Sequence, residues 1–111
     1  DYVFPEFWAS WCGPCLASIP QLKKIYAEYS DKLEIVSISL DTKRASWSNV
    51  LETQNMPWPQ VSDFKGFDSK IAKSLKIKKL PTGLLLDKQG VVINMGGTTM
   101  LKFFMQSKYS K

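Results

Sequence analysis

Residues 6 to 15 read EFWASWCGPC, and they contain both cysteines of the chain, Cys12 and Cys15. The cysteines are three positions apart and follow two tryptophans and an acidic residue. A cysteine pair at this spacing forms a short structural disulfide, supplies half of a zinc site, or acts as a redox centre. The remainder of the sequence helps to distinguish these three interpretations.

The composition predicts one compact domain over residues 1–111. The chain is 44% hydrophobic and 13% aromatic, which is enough for a hydrophobic core. A length of 111 residues leaves no room for a second domain. No run approaches the roughly 18 consecutive apolar residues of a transmembrane helix, so we expect no membrane span in this chain. The missing initiator methionine is consistent with a trimmed fragment that has lost a leader or an anchor.

The net charge of +5 comes from fourteen lysines and one arginine against ten acidic residues. Nucleic-acid-binding surfaces usually combine arginine with interleaved aromatic residues. That combination is missing, so we expect no nucleic-acid partner. The densest basic run extends from Lys65 to Lys79. We expect a solvated helix face there, with an acidic partner or a membrane surface as the alternatives.

The chain contains no histidine. Cysteine-histidine nucleophilic catalysis is therefore excluded within it, and so is a zinc site built from cysteine and histidine. A disulfide that closes only about four residues stabilises by roughly 2 kcal/mol, against about 3 kcal/mol for a loop of about fifteen. These points favour the redox centre over the metal site and the structural disulfide.

The hydrophobic pattern predicts the element order β-α-β-α-α-β-β-α. The elements are a strand over 2–8, a helix from Pro14 to Tyr29, a strand over 34–40, a helix over 43–54, a helix capped by Asp68 or Ser69, a hairpin of 83–87 with 91–94, and a last helix that begins at Thr98 or Thr99. This order predicts an α/β sandwich, with a mixed central sheet and helices on both faces.

Several residues carry local expectations. Pro5 interrupts the first strand, so either the ladder is broken there or the strand is less central than its composition suggests. Pro20 lies inside the first helix and is expected to kink it. Gly90 would supply the positive φ of the hairpin turn. In the third helix, Ile71, Ala72 and Leu75 should point inward.

The cysteines lie where the first strand turns into the first helix. The unpaired amides and the dipole of a helix N-terminus stabilise an anion, so the Cys12 thiol should lose its proton more readily than a free cysteine. Cys15 lies one turn further on, close enough to attack a mixed disulfide formed on Cys12. Thiol-disulfide exchange needs this arrangement of one attacking and one resolving sulfur.

The stretch FWASWCGPC, from Phe7 to Cys15, closely resembles the active-site motif of thioredoxin-fold proteins. Pro20 matches a proline five residues after the second cysteine, and Leu80-Pro81-Thr82 matches the loop that carries the cis-proline of that family. The intervening pattern resembles the TlpA/ResA-like branch of bacterial extracytoplasmic thiol-disulfide oxidoreductases. It consists of Asp41, Trp47, Pro57-Trp58-Pro59, Ser69 to Ala72 and Leu86 to Gly90.

The resemblance implies an enzyme, a protein disulfide reductase or exchanger that cycles Cys12 and Cys15 between dithiol and disulfide. It implies no cofactor other than this redox-active disulfide, and no metal. The partners would be protein substrates and an upstream electron donor, and we expect a monomer. The Gly-Pro dipeptide between the cysteines is that of reducing thioredoxins, which favours a reductant. The same branch implies a location in the bacterial periplasm.

The resemblance also assigns residues around the cysteine pair. In the cis form Pro81 would face the disulfide, and the backbone of Leu80 would pair with an extended substrate segment, as an added strand does. Trp11 would offer an apolar contact surface, with burial in the core as the alternative. The predicted substrate-binding set is Trp11, Gly13, Pro14, Leu80, Pro81 and Thr82.

Glu6 lies six positions before the first cysteine, where thioredoxins carry a buried acid. A carboxyl group in an apolar strand should have a raised pKa and would relay a proton to or from Cys15 during resolution. The alternative is an acid at the end of the strand that faces water.

The chain departs from the family pattern in three respects. It lacks the usual strand, helix or hairpin ahead of the first strand, so the sheet should be short by one edge, or segment 55–63 should cover that edge. Ser18 occupies the position where ResA-like proteins often carry a glutamate. The second strand offers no lysine to accompany Glu6.

Two other functions remain as alternatives. Peroxiredoxins carry a proline seven positions, and a threonine three positions, before the reactive cysteine; Pro5 meets the first condition, whereas Ala9 replaces the threonine. The second alternative is a binding module that keeps the fold and has lost turnover. The intact Cys12, Cys15 and Pro81 argue against it.

Overall fold

The computed structural model describes residues 1–109; Ser110 and Lys111, the last two residues of the predicted domain, lie outside the described residues. The elements follow the predicted order, with one short strand added. The strands are β1 (Tyr2–Trp8), β2 (Leu33–Ser39), β3 (Gln60–Val61), β4 (Thr82–Leu86) and β5 (Val92–Gly96). The α-helices are α1 (Gly13–Tyr29), α2 (Arg44–Gln54), α3 (Lys70–Ser74) and α4 (Thr98–Tyr109), and a 3-10 turn at Gly66–Asp68 precedes α3.

The strands form one mixed sheet in the order β3-β2-β1-β4-β5. Neighbouring strands among β1, β2 and β3 are parallel, whereas β4 is antiparallel to β1 and to β5. Phe4 packs with α1 and α4, and Phe7 packs with α3. Because residues an odd number of positions apart in a strand point to opposite faces, these two phenylalanines serve separate cores. The predicted mixed sheet with helices on both faces is confirmed.

Pro5 lies in the central strand, where it pairs in register with Val36 of β2. On the other side, the pairing of β1 with β4 skips from Val3 to Glu6. The interruption on one side only is what a residue without an N–H donor produces. Of the two expectations for Pro5, the broken ladder is therefore correct, and the less central strand is wrong.

The first helix runs without a break from Gly13 to Tyr29, with Pro20 inside it. Its buried face consists of Cys15, Ile19, Leu22, Ile25 and Tyr29, as the apolar spacing predicts. This face packs against the sheet and fixes the start of the helix at the end of β1.

The two-residue strand β3 pairs with β2 at one edge of the sheet. The expectation that segment 55–63 covers this edge is therefore confirmed. A strand of two residues is too short to show a hydrophobic period, and for this reason the sequence does not predict it.

The third helix has only five residues, and two expectations about it are wrong. Ile71 is 45% exposed and does not point inward, because Ala72 and Ile77 fill the space against the sheet. Ser69 occupies the N-cap position, but its hydroxyl makes no capping hydrogen bond.

The hairpin of β4 and β5 is confirmed, with Gly90 at φ +82° in its turn. The last helix begins at Thr98 and buries Leu101 and Met105 completely in the core around Phe4. The final helix is thus an integral part of the main core.

Candidate active site

Cys12 is the N-cap residue of α1, and Gly13 and Pro14 form the first positions of the helix. Proline suits this position because its missing N–H would have no partner in the first turn. The Sγ of Cys12 accepts a hydrogen bond from the backbone N–H of Cys15 at 3.2 Å. The Cys12 sulfur therefore lies against the free amides at the start of a helix of 17 residues.

Cys12 and Cys15 are joined by a disulfide, and their Cα atoms are 5.3 Å apart. Cys12 is 6% exposed and Cys15 only 1% exposed. The two cysteines form an apolar cluster with Trp8 and Ala9, against which Leu80 packs. Cys12 is thus the more accessible sulfur of a largely buried pair.

Trp11, directly before Cys12, is 61% exposed, so the alternative of core burial is wrong. Its ring lies 6.4 Å from the ring of Phe67, which is itself 42% exposed. Two large aromatic side chains therefore stand at the surface beside the disulfide. Phe67 is missing from the predicted site set, because the two residues meet only when the 3-10 turn packs beside the loop that ends β1.

The segment Leu80-Pro81-Thr82 also borders the site, through Leu80. The peptide bond between Leu80 and Pro81 is cis. Thr82 begins β4 opposite Phe7 of β1, and its Oγ1 donates a hydrogen bond to the carbonyl of Lys79 at 2.8 Å. Because Leu80 contacts the cysteine cluster, this segment and the first turn of α1 lie side by side.

Glu6 is 5% exposed, so the alternative of a strand-end acid facing water is wrong. Ser37 of β2 donates a hydrogen bond to its Oε1 at 2.8 Å, and Trp58 Nε1 donates to the Ser37 hydroxyl oxygen at 2.8 Å. Burial raises the pKa of Glu6 from 4.5 to about 7, and the bond from Ser37 partly opposes that shift. The carboxyl group thus changes its charge near neutral pH.

Asp41 is a second buried carboxyl group, with 1% exposure. Its oxygens accept hydrogen bonds from the backbone N–H of Ser10 at 3.1 and 3.2 Å and from the Ser10 hydroxyl at 2.6 Å. Ser39 donates a further bond to the same carboxylate. Asp41 therefore ties the loop that carries Cys12 to the end of β2.

Asp41 has no predicted role in the site, although it forms part of the pattern that resembles the TlpA/ResA-like branch. An aspartate after a strand normally indicates no more than the end of that strand. Only its hydrogen bonds with Ser10, 31 positions away, indicate that Asp41 also holds the loop before Cys12.

Ser18, at the position where ResA-like proteins often carry a glutamate, donates its hydroxyl to the carbonyl of Cys15 at 2.8 Å. Within residues 1–109, no three His, Cys, Asp or Glu side chains are grouped so that they could hold a metal ion. None of the helices in this range has both the length and the apolar character to cross a bilayer.

Comparison with known proteins places this geometry in a family. A family model described as thioredoxin-like matches residues 1–92. The thioredoxin-like protein YneN of Bacillus subtilis (strain 168) is 31% identical over 109 residues, which are 96% of this chain and 62% of YneN. The thiol-disulfide oxidoreductase ResA of Bacillus cereus (strain ZK / E33L) is 33% identical over 92 residues, 82% of this chain and 51% of ResA.

Solved structures agree with the sequence relatives. A thiol-disulfide oxidoreductase from Bacteroides fragilis NCTC 9343 superposes with a TM-score of 0.82 at 33% identity, covering 94% of this chain and 81% of that one. StoA from Bacillus subtilis superposes with a TM-score of 0.78 at 26% identity, covering 95% of this chain and 82% of that one. With its strand order, its CGPC pair at the start of α1 and a family match over most of its length, the chain belongs to the thioredoxin-like family.

Proposed function

We propose that this protein is an enzyme, a thiol-disulfide oxidoreductase that exchanges dithiol and disulfide with cysteines of protein substrates. The observation that carries the proposal is the Cys12–Cys15 disulfide at the first turn of α1. The relatives named ResA and the B. fragilis structure, both called thiol-disulfide oxidoreductases, support it. No cofactor beyond the two sulfurs is needed for this exchange.

In the reducing direction the cycle begins with the dithiol. The Cys12 thiolate attacks one sulfur of a substrate disulfide, that bond breaks, and the other substrate sulfur leaves as a thiolate. A mixed disulfide now joins Cys12 to the substrate. The Cys15 thiolate attacks Cys12 Sγ, the mixed disulfide breaks, and the second substrate thiolate leaves. Two electrons have then passed to the substrate, and Cys12 and Cys15 are joined in a disulfide. An upstream dithiol donor reduces this disulfide and restores the dithiol form of the protein.

The assignment of roles follows from accessibility and from the helix. Cys12 is the more exposed sulfur and accepts the N–H of Cys15, an interaction that favours its thiolate. Cys15 is buried among Trp8, Ala9 and the residues packed around them, so it can react only with a substrate that is already bound to Cys12. Cys12 would therefore attack, and Cys15 would resolve.

The substrate would lie across the exposed end of the pair. Trp11, Gly13 and Pro14 would contact it on one side, and Leu80, Pro81 and Thr82 on the other. The support is that Trp11 is exposed and that Leu80 packs against the cysteine cluster. A substrate strand would add its backbone hydrogen bonds at Leu80.

Glu6 would serve as the proton relay for Cys15. Its pKa of about 7 lets it hold or release a proton near neutral pH, as a general acid or base must. We expect Glu6→Gln to flatten the pH dependence of the resolution step, measured by rapid quenching of the mixed disulfide. An unchanged pH profile would remove Glu6 from the mechanism.

We further propose that the protein acts as a monomeric reductant outside the cytoplasm, in the bacterial periplasm. The CGPC sequence supports the reducing direction, and the resemblance to the TlpA/ResA-like branch supports the location. Equilibration with glutathione tests the direction. A potential near that of thioredoxin, about −270 mV, is expected; one near that of DsbA, about −120 mV, would make the protein an oxidant.

Insulin reduction with dithiothreitol as electron donor tests the proposed activity. We expect Cys12→Ser to abolish the reaction. Cys15→Ser, reduced and then freed of dithiothreitol, should accumulate a mixed disulfide with insulin, visible on a non-reducing gel, because no dithiothreitol remains to break that bond. Equal activity in wild type and Cys12→Ser, or none in either, would favour a redox-inactive binding module. Rapid consumption of peroxide by the reduced protein would instead favour a peroxidase.

A further inference from the structure

The positive charge of the chain is concentrated in one segment. Residues 63–79, the basic segment, contain six lysines and two aspartates, a net charge of +4 out of +5 for the whole chain. All six lysines are exposed. Of these six lysines, which all lie in the described part of the chain, only Lys73 has an ion-pair partner, Asp68 at 3.6 Å. Most of this charge is therefore available to a binding partner.

Both ends of the basic segment reach the candidate active site. Near its start, Phe67 lies beside Trp11, with 6.4 Å between the ring centroids. Directly after its end, Leu80 packs against the cluster that contains Cys12 and Cys15. A contact at each end holds the segment next to the disulfide.

The length of chain between a lysine and Pro81 sets an upper limit on the distance between their Cα atoms. Successive Cα atoms are about 3.8 Å apart, so Lys78 and Lys79 lie within roughly 11 Å of Pro81 along the chain. The Debye length is about 10 Å at 0.1 M ionic strength, so charges at this range still act at low salt. Lys70 and Lys73, on α3, are farther along the chain from Pro81.

We propose that the active site prefers substrate proteins whose reactive cysteine is flanked by acidic residues, and that Lys78 and Lys79 recognise them. This inference rests on the proposed thiol-disulfide exchange and specifies its substrate class. Charge complementarity of this kind raises the rate of encounter and orients the approaching segment. A lipid surface is the less suitable partner, because the same segment borders the disulfide that a protein cysteine has to reach.

The test uses the full chain, reduced with dithiothreitol and then freed of it. Two disulfide-bonded peptides differ only in whether glutamate or lysine flanks the cysteine, and the second-order rate constant of each is measured by stopped flow. At low ionic strength we expect the acidic peptide to react about tenfold faster. The difference should shrink as salt is added.

Charge reversal identifies the lysines. The double variant Lys78→Glu, Lys79→Glu should lose the preference for the acidic peptide. The matched control Lys24→Glu, Lys108→Glu changes the net charge equally at two exposed lysines of α1 and α4, and it should keep the preference. A preference that survives in the first variant, or is lost in the control, would overturn the assignment.

Other outcomes separate this inference from the proposed function. If the wild type reduces the small uncharged disulfide hydroxyethyl disulfide but reacts equally with both peptides, the acidic preference is refuted and the exchange activity stands. If it reacts with none of the three, the proposed function itself fails. Equal peptide rates together with Lys78- and Lys79-dependent binding to phosphatidylserine vesicles would assign the basic segment to a membrane surface. Should the charge-reversed variant not fold, Lys78→Gln, Lys79→Gln removes the two charges without reversing them, and it should lose the preference that Lys24→Gln, Lys108→Gln keeps.

Discussion

Two buried carboxyl groups lie in, or shortly after, the parallel strands β1 and β2. Glu6 is in β1 and receives a hydrogen bond from Ser37, whereas Asp41 follows β2 and receives three from Ser10. Burial costs a carboxylate free energy unless hydrogen bonds replace its water. Burial therefore raises the pKa of Glu6, and its one hydrogen bond, from Ser37, opposes that shift only in part.

The raised pKa of Glu6 makes stability depend on pH. The folded state binds this proton more tightly than the unfolded chain, so ionisation of Glu6 opposes folding. The cost is absent below about pH 4.5, grows as the pH rises, and is complete above about pH 7. At about 1.4 kcal/mol per tenfold change in proton affinity, it amounts to about 3 kcal/mol.

We therefore expect Glu6→Gln to be more stable than wild type above about pH 8, by up to about 3 kcal/mol, and to match it near about pH 4. Urea denaturation of the oxidised protein across this range measures the difference. The control Glu34→Gln changes an exposed residue of β2 and should leave the pH profile unaltered. Parallel profiles for Glu6→Gln and wild type would contradict the assignment.

The hydrogen bonds between Asp41 and Ser10 hold the loop that leads to Cys12, so the loss of these bonds should affect the reactivity of Cys12. Asp41→Asn leaves fewer acceptors for the Ser10 N–H and hydroxyl, so we expect a loss of about 2 kcal/mol in the free energy of unfolding. Because the loop carries Cys12, alkylation of Cys12 in the reduced protein should slow by roughly tenfold. Iodoacetamide kinetics on the Cys15→Ser background measure this rate.

Asp87→Asn is the matched control for Asp41. Asp87 also accepts backbone N–H groups, from Gln89 at 2.9 Å and Val91 at 3.0 Å, but it does so in the hairpin turn. The Asp87→Asn variant should be less stable than wild type, but its Cys12 should be alkylated at the normal rate. A folded Asp41→Asn protein with a normal alkylation rate would show that Asp41 is structural only.

At the scale of elements, the sheet positions the site by bringing β4 close to β1. Gly83 of β4 lies opposite Glu6, and a Cβ at position 83 would come within 2.2 Å of the ring of Phe4. Only a hydrogen fits there. The core phenylalanine and the strand that follows Pro81 are therefore packed against each other without a side chain between them.

Gly83→Ala should destabilise the fold by about 2 kcal/mol, because Phe4 or the strand has to move. Thermal or urea unfolding measures this loss. Gly97→Ala provides the comparison: a Cβ added at Gly97 would meet nothing within 4 Å, so this substitution should change stability little. Equal effects of the two substitutions would argue against the close contact with Phe4.

At the scale of the whole molecule, the core extends beyond the residues that the family model matches. That match ends at residue 92, yet Leu101 and Met105 of α4 are completely buried with Phe4, Leu22 and Ile35. The last helix is thus needed to close the face of the sheet on which α1 lies.

Leu101→Ala should cost about 3 kcal/mol, because it leaves a cavity in the main core. Phe103→Ala, in the same helix but at a residue that is 60% exposed, should change stability by less than about 0.5 kcal/mol. Denaturant titration of both variants measures the contrast. Similar small effects would mean that α4 contributes little to the core.

Much of the fold could be predicted because it depends on local patterns. Apolar spacing indicates β1, α1, β2 and α4, and the glycine at position 90 indicates the hairpin turn. The prediction of Ile71 as a core residue was wrong, because a helix as short as α3 buries little more than one residue, Ala72. The short strand β3 has no periodic signal and exists only because β2 leaves an edge for it.

The sequence by itself determined the order of the elements other than β3, the buried face of α1, and the position of Cys12 and Cys15 at the start of that helix. These features follow from the spacing of residues that are near one another in the chain. Only the tertiary structure decided that Glu6 is buried beside Ser37, that Asp41 holds the loop through Ser10, and that Phe67 lies beside Trp11. These contacts join residues that are distant along the chain, and the packing of strands and turns, which no local pattern encodes, brings them together.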